Sequence, residues 1–204
     1  HPTNGASAVF EVGKRMVVSS NAGFNADFRG FEYGKGEGAG VNYSFSGGGA
    51  YGGAGGTGVR IDTGATTAGG TPYGEAEAPV QPGSGGGYYH NSSSASSRAK
   101  GGGLIWIDAP DARLTLDGLF TANGQDVGGS WGGGASGGGS GGGIQIRCRS
   151  LSGNGVFSVC GGKGLKTTTY ASGSGGGGRI AVHRVVHAWN GSPAPGSNDG
   201  RAAG

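Results

Sequence analysis

A chain of 204 residues with 54 glycines, 33% hydrophobic and 13% charged residues starts with an entropic handicap, because glycine loses the most backbone freedom on folding and brings no side chain to bury. Its low charged fraction and its alternating apolar clusters exclude a charge-solvated disordered chain. The formal net charge is +3, but Lys and Arg are scattered among acidic residues without the basic stripe that a phosphate backbone requires, and no apolar run approaches the eighteen or so residues of a membrane span, so neither nucleic acid nor membrane insertion is expected.

The first coherent segment, AVFEVGKRMVVSSNAGFNADFRG from Ala8 to Gly30, reads as two short strands of period two joined by a corner at GKR. The same unit returns as GGGLIWIDAPDARLTLDGLFTANG from Gly101 to Gly124 and as GGGIQIRCRSLSGNGVFSVCGG from Gly141 to Gly162. Laying Leu114 on Leu151 brings Phe120 onto Phe157 without a gap, and laying Val18 on Leu114 brings Phe24 onto Phe120. The corners are GKR, DAPDAR and RCRS, and Pro110 sits in one where no ladder donor is lost. Gly118 and Gly155 fall at sharp turns and are expected to need positive φ.

Between the first two copies lies a long insert at 31–100, with short strands expected at Val41–Phe45 and Val59–Asp62 and a serine-rich exposed loop at its end. RIAVH at Arg179–His183 repeats the opening strand a fourth time. The organisation expected is one glycine-rich unit over 1–189 with a polar tail at 190–204. A repeat of about forty residues implies stacked units, and strands that recur in order with no helical period imply an all-β fold. The expectation is a parallel β-helix, a solenoid of right hand by the crossover rule, with coils about 4.8 Å apart. Its interior would hold a column of Phe24, Phe120 and Phe157. The glycine tracts read either as flexible linkers or as ordered extended segments packed backbone to backbone like polyproline II. Their regular alternation with Tyr, Trp and Ala favours order, with Tyr51 and Trp131 covering glycine backbone.

The order GGGAYGGAGG, YGEAEAPVQPGSGGG, GGGLIWI, GGGSGGGIQI and GGGGRIAVHR resembles glycine-rich β-helix segments of large secreted or surface proteins of microbes and protists. The resemblance covers about Gly38 to Arg184. It implies a structural or adhesive module of a longer fibre or ectodomain, and it carries no catalytic residue over to this chain.

Candidate chemistry is sparse. Cys148 and Cys160 lie in successive strands, so a disulfide could clip the corner; alternation from Ile144 and Ile146 points Cys148 inward while Cys160, aligned with Asn123, points outward, so the disulfide and two separate thiols stand as equal alternatives. His183 and His187 follow a strand, where their spacing spans about 13 Å and reads as structural or surface histidine. His1, the first residue of a chain that looks processed or excerpted, is a weak copper ligand candidate. Asp108 with Asp111, and Asp62 and Asp117, offer no convincing pair for acid and base roles, and Thr115 and Thr121 form no ladder. Asn42, Asn91 and Asn190 begin N-x-S sequons. Tyr88, Tyr89, Trp131 and Trp189 are the aromatics available for glycan or assembly contacts. No metal and no cofactor is implied.

These readings lead to a non-enzymatic structural subunit of an extracellular fibre, appendage or surface layer, extracellular or at the cell surface. It would associate with itself or with neighbouring modules through open solenoid ends and glycine-rich loops. The alternative is a carbohydrate-binding adhesin, and a polysaccharide-active β-helix enzyme ranks below both.

Overall fold

The computed structural model describes residues 7–89, 98–129 and 134–184. Among these residues there is no helix, and eleven strands form three sheets. The main sheet is parallel, with β1 (Ser7–Glu11) and β2 (Arg15–Val18) on one side of β6 (Leu104–Leu116), then β8 (Gly143–Ser152), then β11 (Arg179–Arg184). A second parallel sheet stacks β3 (Gly23–Asn25), β7 (Leu119–Thr121) and β9 (Val156–Ser158). The third is antiparallel, in the order β10 (Tyr170–Ala171), β4 (Gly58–Arg60), β5 (Thr66–Thr67).

The strands form where side chains alternate. Ile105, Ile107 and Ala109 of β6 turn inward with Ile144, Ile146 and Cys148 of β8, while Trp106 and Asp108 turn outward. Phe24, Phe120 and Phe157 stand in register across β3, β7 and β9, with ring centroids 5.4 and 5.1 Å apart. Phe120, at the middle of that column, is fully buried. Asx side chains fasten successive layers at the turns: Asp27 accepts from the backbone N–H of Asn123, and Asn123 accepts from that of Cys160. Asp117 and Asp126 accept likewise from Asn154 and Lys163.

The glycine tracts among the described residues are ordered, and their hydrogen bonds follow a period of three. Gly137 and Ser140 donate to Gly87 and Ser84; Gly138 and Gly141 donate to Gly173 and Gly176; Gly139 and Gly142 donate to Gln125 and Ala122. Three neighbours are thus addressed in rotation. Three further segments donate to this one, through Gly49 to Gly138, Gly162 to Gly139 and Gly102 to Ser140. The tract at 46–50 behaves alike, with Ser46 and Gly49 donating to Ala135 and Gly138, and Gly47 and Ala50 to Val41 and Gly38. An extended segment with three residues per turn aims successive N–H groups in three directions, and a backbone with six neighbours leaves no room for side chains. A Cβ on Gly139 would overlap the carbonyl oxygen of Lys100, and one on Gly175 that of Gly139. Ser46, Ser84, Ala135, Ser136 and Ser140 are the small residues admitted among them, all buried.

The parallel β-solenoid expected from the repeat is therefore not the fold of this chain. A solenoid would lead every repeat through the same faces. Here only the strand halves of the repeats stack. One sheet is antiparallel and no sheet closes. The insert at 31–100 is no excursion either: Gly47–Ala50 and Gly83–Gly87 are buried inside the glycine bundle.

Smaller expectations are corrected too. Val41–Phe45 forms no strand, only a bridge from Phe45 to Ala135. DAPDAR is not a corner, because β6 runs through it with a bulge between Ala109 and Arg113. Met16, not Val18, lies opposite Leu114, the two-residue shift being taken up in the longer turn at Ser19–Ala22. Gly118 and Gly155 have no positive φ; that conformation belongs to Gly153 at φ 111°. Gly118 is glycine because a Cβ would strike the carbonyl oxygen of Ala22.

Candidate functional site

The bulge in β6 builds a distinctive surface among the described residues. Ala109 pairs with Cys148 and Arg113 with Ser150, so Pro110, Asp111 and Ala112 stand against the single residue Arg149. On the other flank, Glu11 pairs with Asp108 and Arg15 with Arg113, leaving Val12, Gly13 and Lys14 to span the gap. Bulges splay neighbouring strands and re-aim side chains. Here they open a groove of about 560 Å³.

Four cations, Lys14, Arg15, Arg113 and Arg149, line this groove against one acid, Asp111. All five side chains are exposed. Among the described residues the ion pairs are Arg60 with Asp62, Lys100 with Glu32 and Arg147 with Asp108, so none of the four groove cations is neutralised. Arg15 and Arg113 are register partners on adjacent strands, a like-charge pairing that destabilises a sheet. Thr115, Ser150 and Ser152 supply hydroxyls along the floor, with Thr115 Oγ1 and Ser152 Oγ 3.2 Å apart.

The residues singled out from sequence fall elsewhere. Cys148 is buried and Cys160 exposed, and both thiols are free, so the disulfide is not formed; alternation had already pointed the two apart. Burial pushes the Cys148 thiol above its ordinary value, against a lowering from Arg184. Asn42 is exposed, and its side-chain oxygen accepts from the backbone of Tyr88. Tyr88 and Tyr89 are half-buried. The Tyr88 ring meets Tyr33 edge-on at 5.2 Å, with the Arg98 guanidinium 4.6 Å from the Tyr33 centroid and 5.7 Å from that of Tyr88. Tyr89 lies against Gly134. His183 is exposed and its Nε2 meets the carbonyl oxygen of Glu77. His1, Asn91, Trp131, His187, Trp189, Asn190, the serine-rich loop and the polar tail lie outside the described residues.

The acids do not converge. Asp62 is bound to Arg60, which holds its carboxyl below the usual value by hydrogen bond and charge. Asp108 lies 3.9 Å from Arg147, and Asp117 serves the Asn154 backbone. Among the described residues no three His, Cys, Asp or Glu side chains are grouped to hold a metal. Tyr51 is wholly buried against Tyr73, with centroids 4.9 Å apart. Desolvation pushes its hydroxyl up to about 12 despite the Gln81 backbone and Arg179.

The basic groove is the feature that sequence reasoning missed. Its signal was present in the three aligned segments GKR, DAPDAR and RCRS, each of which carries Arg, the last two lying within β6 and β8 and not at corners. Taken separately those residues read as scattered surface charge, and only the parallel register gathers them.

The fold and its groove define an all-β protein built on a glycine scaffold, with a basic face over one sheet bulge. A scan of protein-family models finds no match, and searches of curated proteins and of solved structures return no similar protein.

Proposed function

We propose that this chain is a structural module of an extracellular fibre, appendage or surface layer, joined end to end through the free edges of its parallel sheets. One observation carries the reading. Among the described residues the stack begins with β1, β2 and β3 and ends with β11 and β9, so its two ends are edges of the same repeated unit. The bonds that lay β1 on β6 in register within the molecule are of the kind that β1 of one copy would make on β11 of the next. Contacts of this head-to-tail type generate filaments wherever the rotation between copies does not close a ring. Val9 and Val17 at one end and Val156 at the other are about half exposed, at 52, 50 and 59%, and association would cover them.

Light scattering on material eluting from a sizing column tests the reading, with concentration-dependent growth as the expected result. A stable monomer at micromolar concentration would overturn it. Because Val12 donates to Asp108, alternation turns the Val9 N–H outward. Val9→Pro should therefore spare the internal ladder and block growth.

A further inference from the structure

We propose that the groove over the β6 bulge is a binding site for an acidic polysaccharide, whose sulfate or carboxylate groups sit between Arg15, Arg113 and Arg149. The proposal does not depend on end-to-end association, because the groove runs from Lys14 and Arg15 of the outer segment onto Arg113 and Arg149 of the two strands beside it and is complete within one copy.

The charge, the strand register and the shape of the groove point to an oxyanion ligand. Four cations face one acid in a single groove, and none of the four has an ion-pair partner among the described residues. Arg15 and Arg113 stand directly opposite each other, a repulsion that an anion between them would convert into attraction. The bulge that separates the strands at this point is also what makes the groove. Arginine, three of the four cations, presents a planar fork that matches carboxylate, sulfate or phosphate in bidentate fashion.

Shape and lining select the carrier of that oxyanion. A groove of about 560 Å³ is many times the roughly 30 Å³ occupied by one water, which suits a sugar residue bearing the charge better than a lone inorganic ion. The hydroxyls of Thr115, Ser150 and Ser152 suit sugar hydroxyls. Among the described residues no aromatic ring lines the groove, so it lacks the stacking platform by which single-stranded nucleic acids are held. No large apolar side chain lines it either, so it offers nothing to a lipid chain.

The test is binding of the full chain to immobilised dextran sulfate and to alginate. Neutral dextran, inorganic sulfate and a single-stranded oligonucleotide run alongside. Binding to at least one acidic polysaccharide that weakens as salt rises is expected, with free sulfate competing only in large excess. The double variant R15Q/R113Q should lose about tenfold or more in affinity while its circular dichroism and melting midpoint are kept or improved, since a repulsion has been removed. A control, K163Q/K166Q, removes as much charge elsewhere and should bind as before. Four results would each overturn the proposal: no binding to either acidic polymer, equal binding to neutral dextran, equal loss in the control, or tighter binding to the oligonucleotide. Full competition by sulfate at concentrations near those of the polymer's own charge would reduce the site to one for a free ion and would also overturn it.

Discussion

The strand layers and the glycine bundle bury their backbone by opposite means. In the layers, Ile105, Ile107, Ile144, Ile146 and Phe120 fill the space between sheets, and the backbone is paired on two sides. In the bundle the space itself is missing: the tract at 137–142 is surrounded by other backbones and donates to three of them in turn. The layers therefore draw on the hydrophobic effect, at roughly 25 cal/mol per Å² of apolar surface. The bundle relies on dense hydrogen bonding and close contact, each bond contributing about 0.5–1.5 kcal/mol net. It follows that the layers should tolerate a change of shape better than the bundle tolerates the addition of one carbon.

Single substitutions separate the two modes. The largest effect is expected from Gly139→Ala, whose added methyl overlaps the Lys100 carbonyl and parts the bonds around it. Because the obstacle is backbone, overpacking and two disrupted bonds fall at the upper end of their ranges and together amount to about 6 kcal/mol, a loss of the folded state that circular dichroism and expression yield would register. Phe120→Ala, at the centre of the layers, should cost about 3–5 kcal/mol while leaving a folded protein with a lowered midpoint in thermal melts. Gly177→Ala should change stability by less than about 1 kcal/mol, with a gain favoured by the smaller entropy of the unfolded chain. Nothing lies within 4 Å of a Cβ there. If Gly139→Ala proved as mild as Gly177→Ala, the distinction between the two regions would fail.

The two regions also differ in how far they could be read from sequence. Strand positions alternate in side chain, so the copies at Ala8, Gly101, Gly141 and Arg179 were visible, and Phe24, Phe120 and Phe157 fell in register. The opposed orientations of Cys148 and Cys160 followed from the same alternation. Glycine carries no such mark. A period of three in hydrogen-bond direction leaves no trace in a run of identical residues, so the insert at 31–100 looked like an outlying loop when its tracts Gly47–Ala50 and Gly83–Gly87 lie inside the bundle. The antiparallel pairing of β4 with β5 and β10 was hidden for a related reason, since those strands are two or three residues long. The basic groove escaped because no one segment holds it: Arg15 and Arg113 are remote in sequence and meet only through register.

The rotation of hydrogen bonds through three neighbours has a consequence for how such a chain can change length. Sliding or lengthening a glycine tract by three residues returns every N–H to its former direction, whereas a change of one or two sends each to the wrong neighbour. Strands that continue from these tracts, such as β6 from Gly103 and β8 from Gly142, instead keep their faces only when shifted by an even number. A chain that passes from one counting rule to the other at fixed points can gain or lose material in its glycine segments by whole triplets of residues without disturbing the sheets. Three glycines inserted into one tract should therefore disturb the bundle less than one or two would.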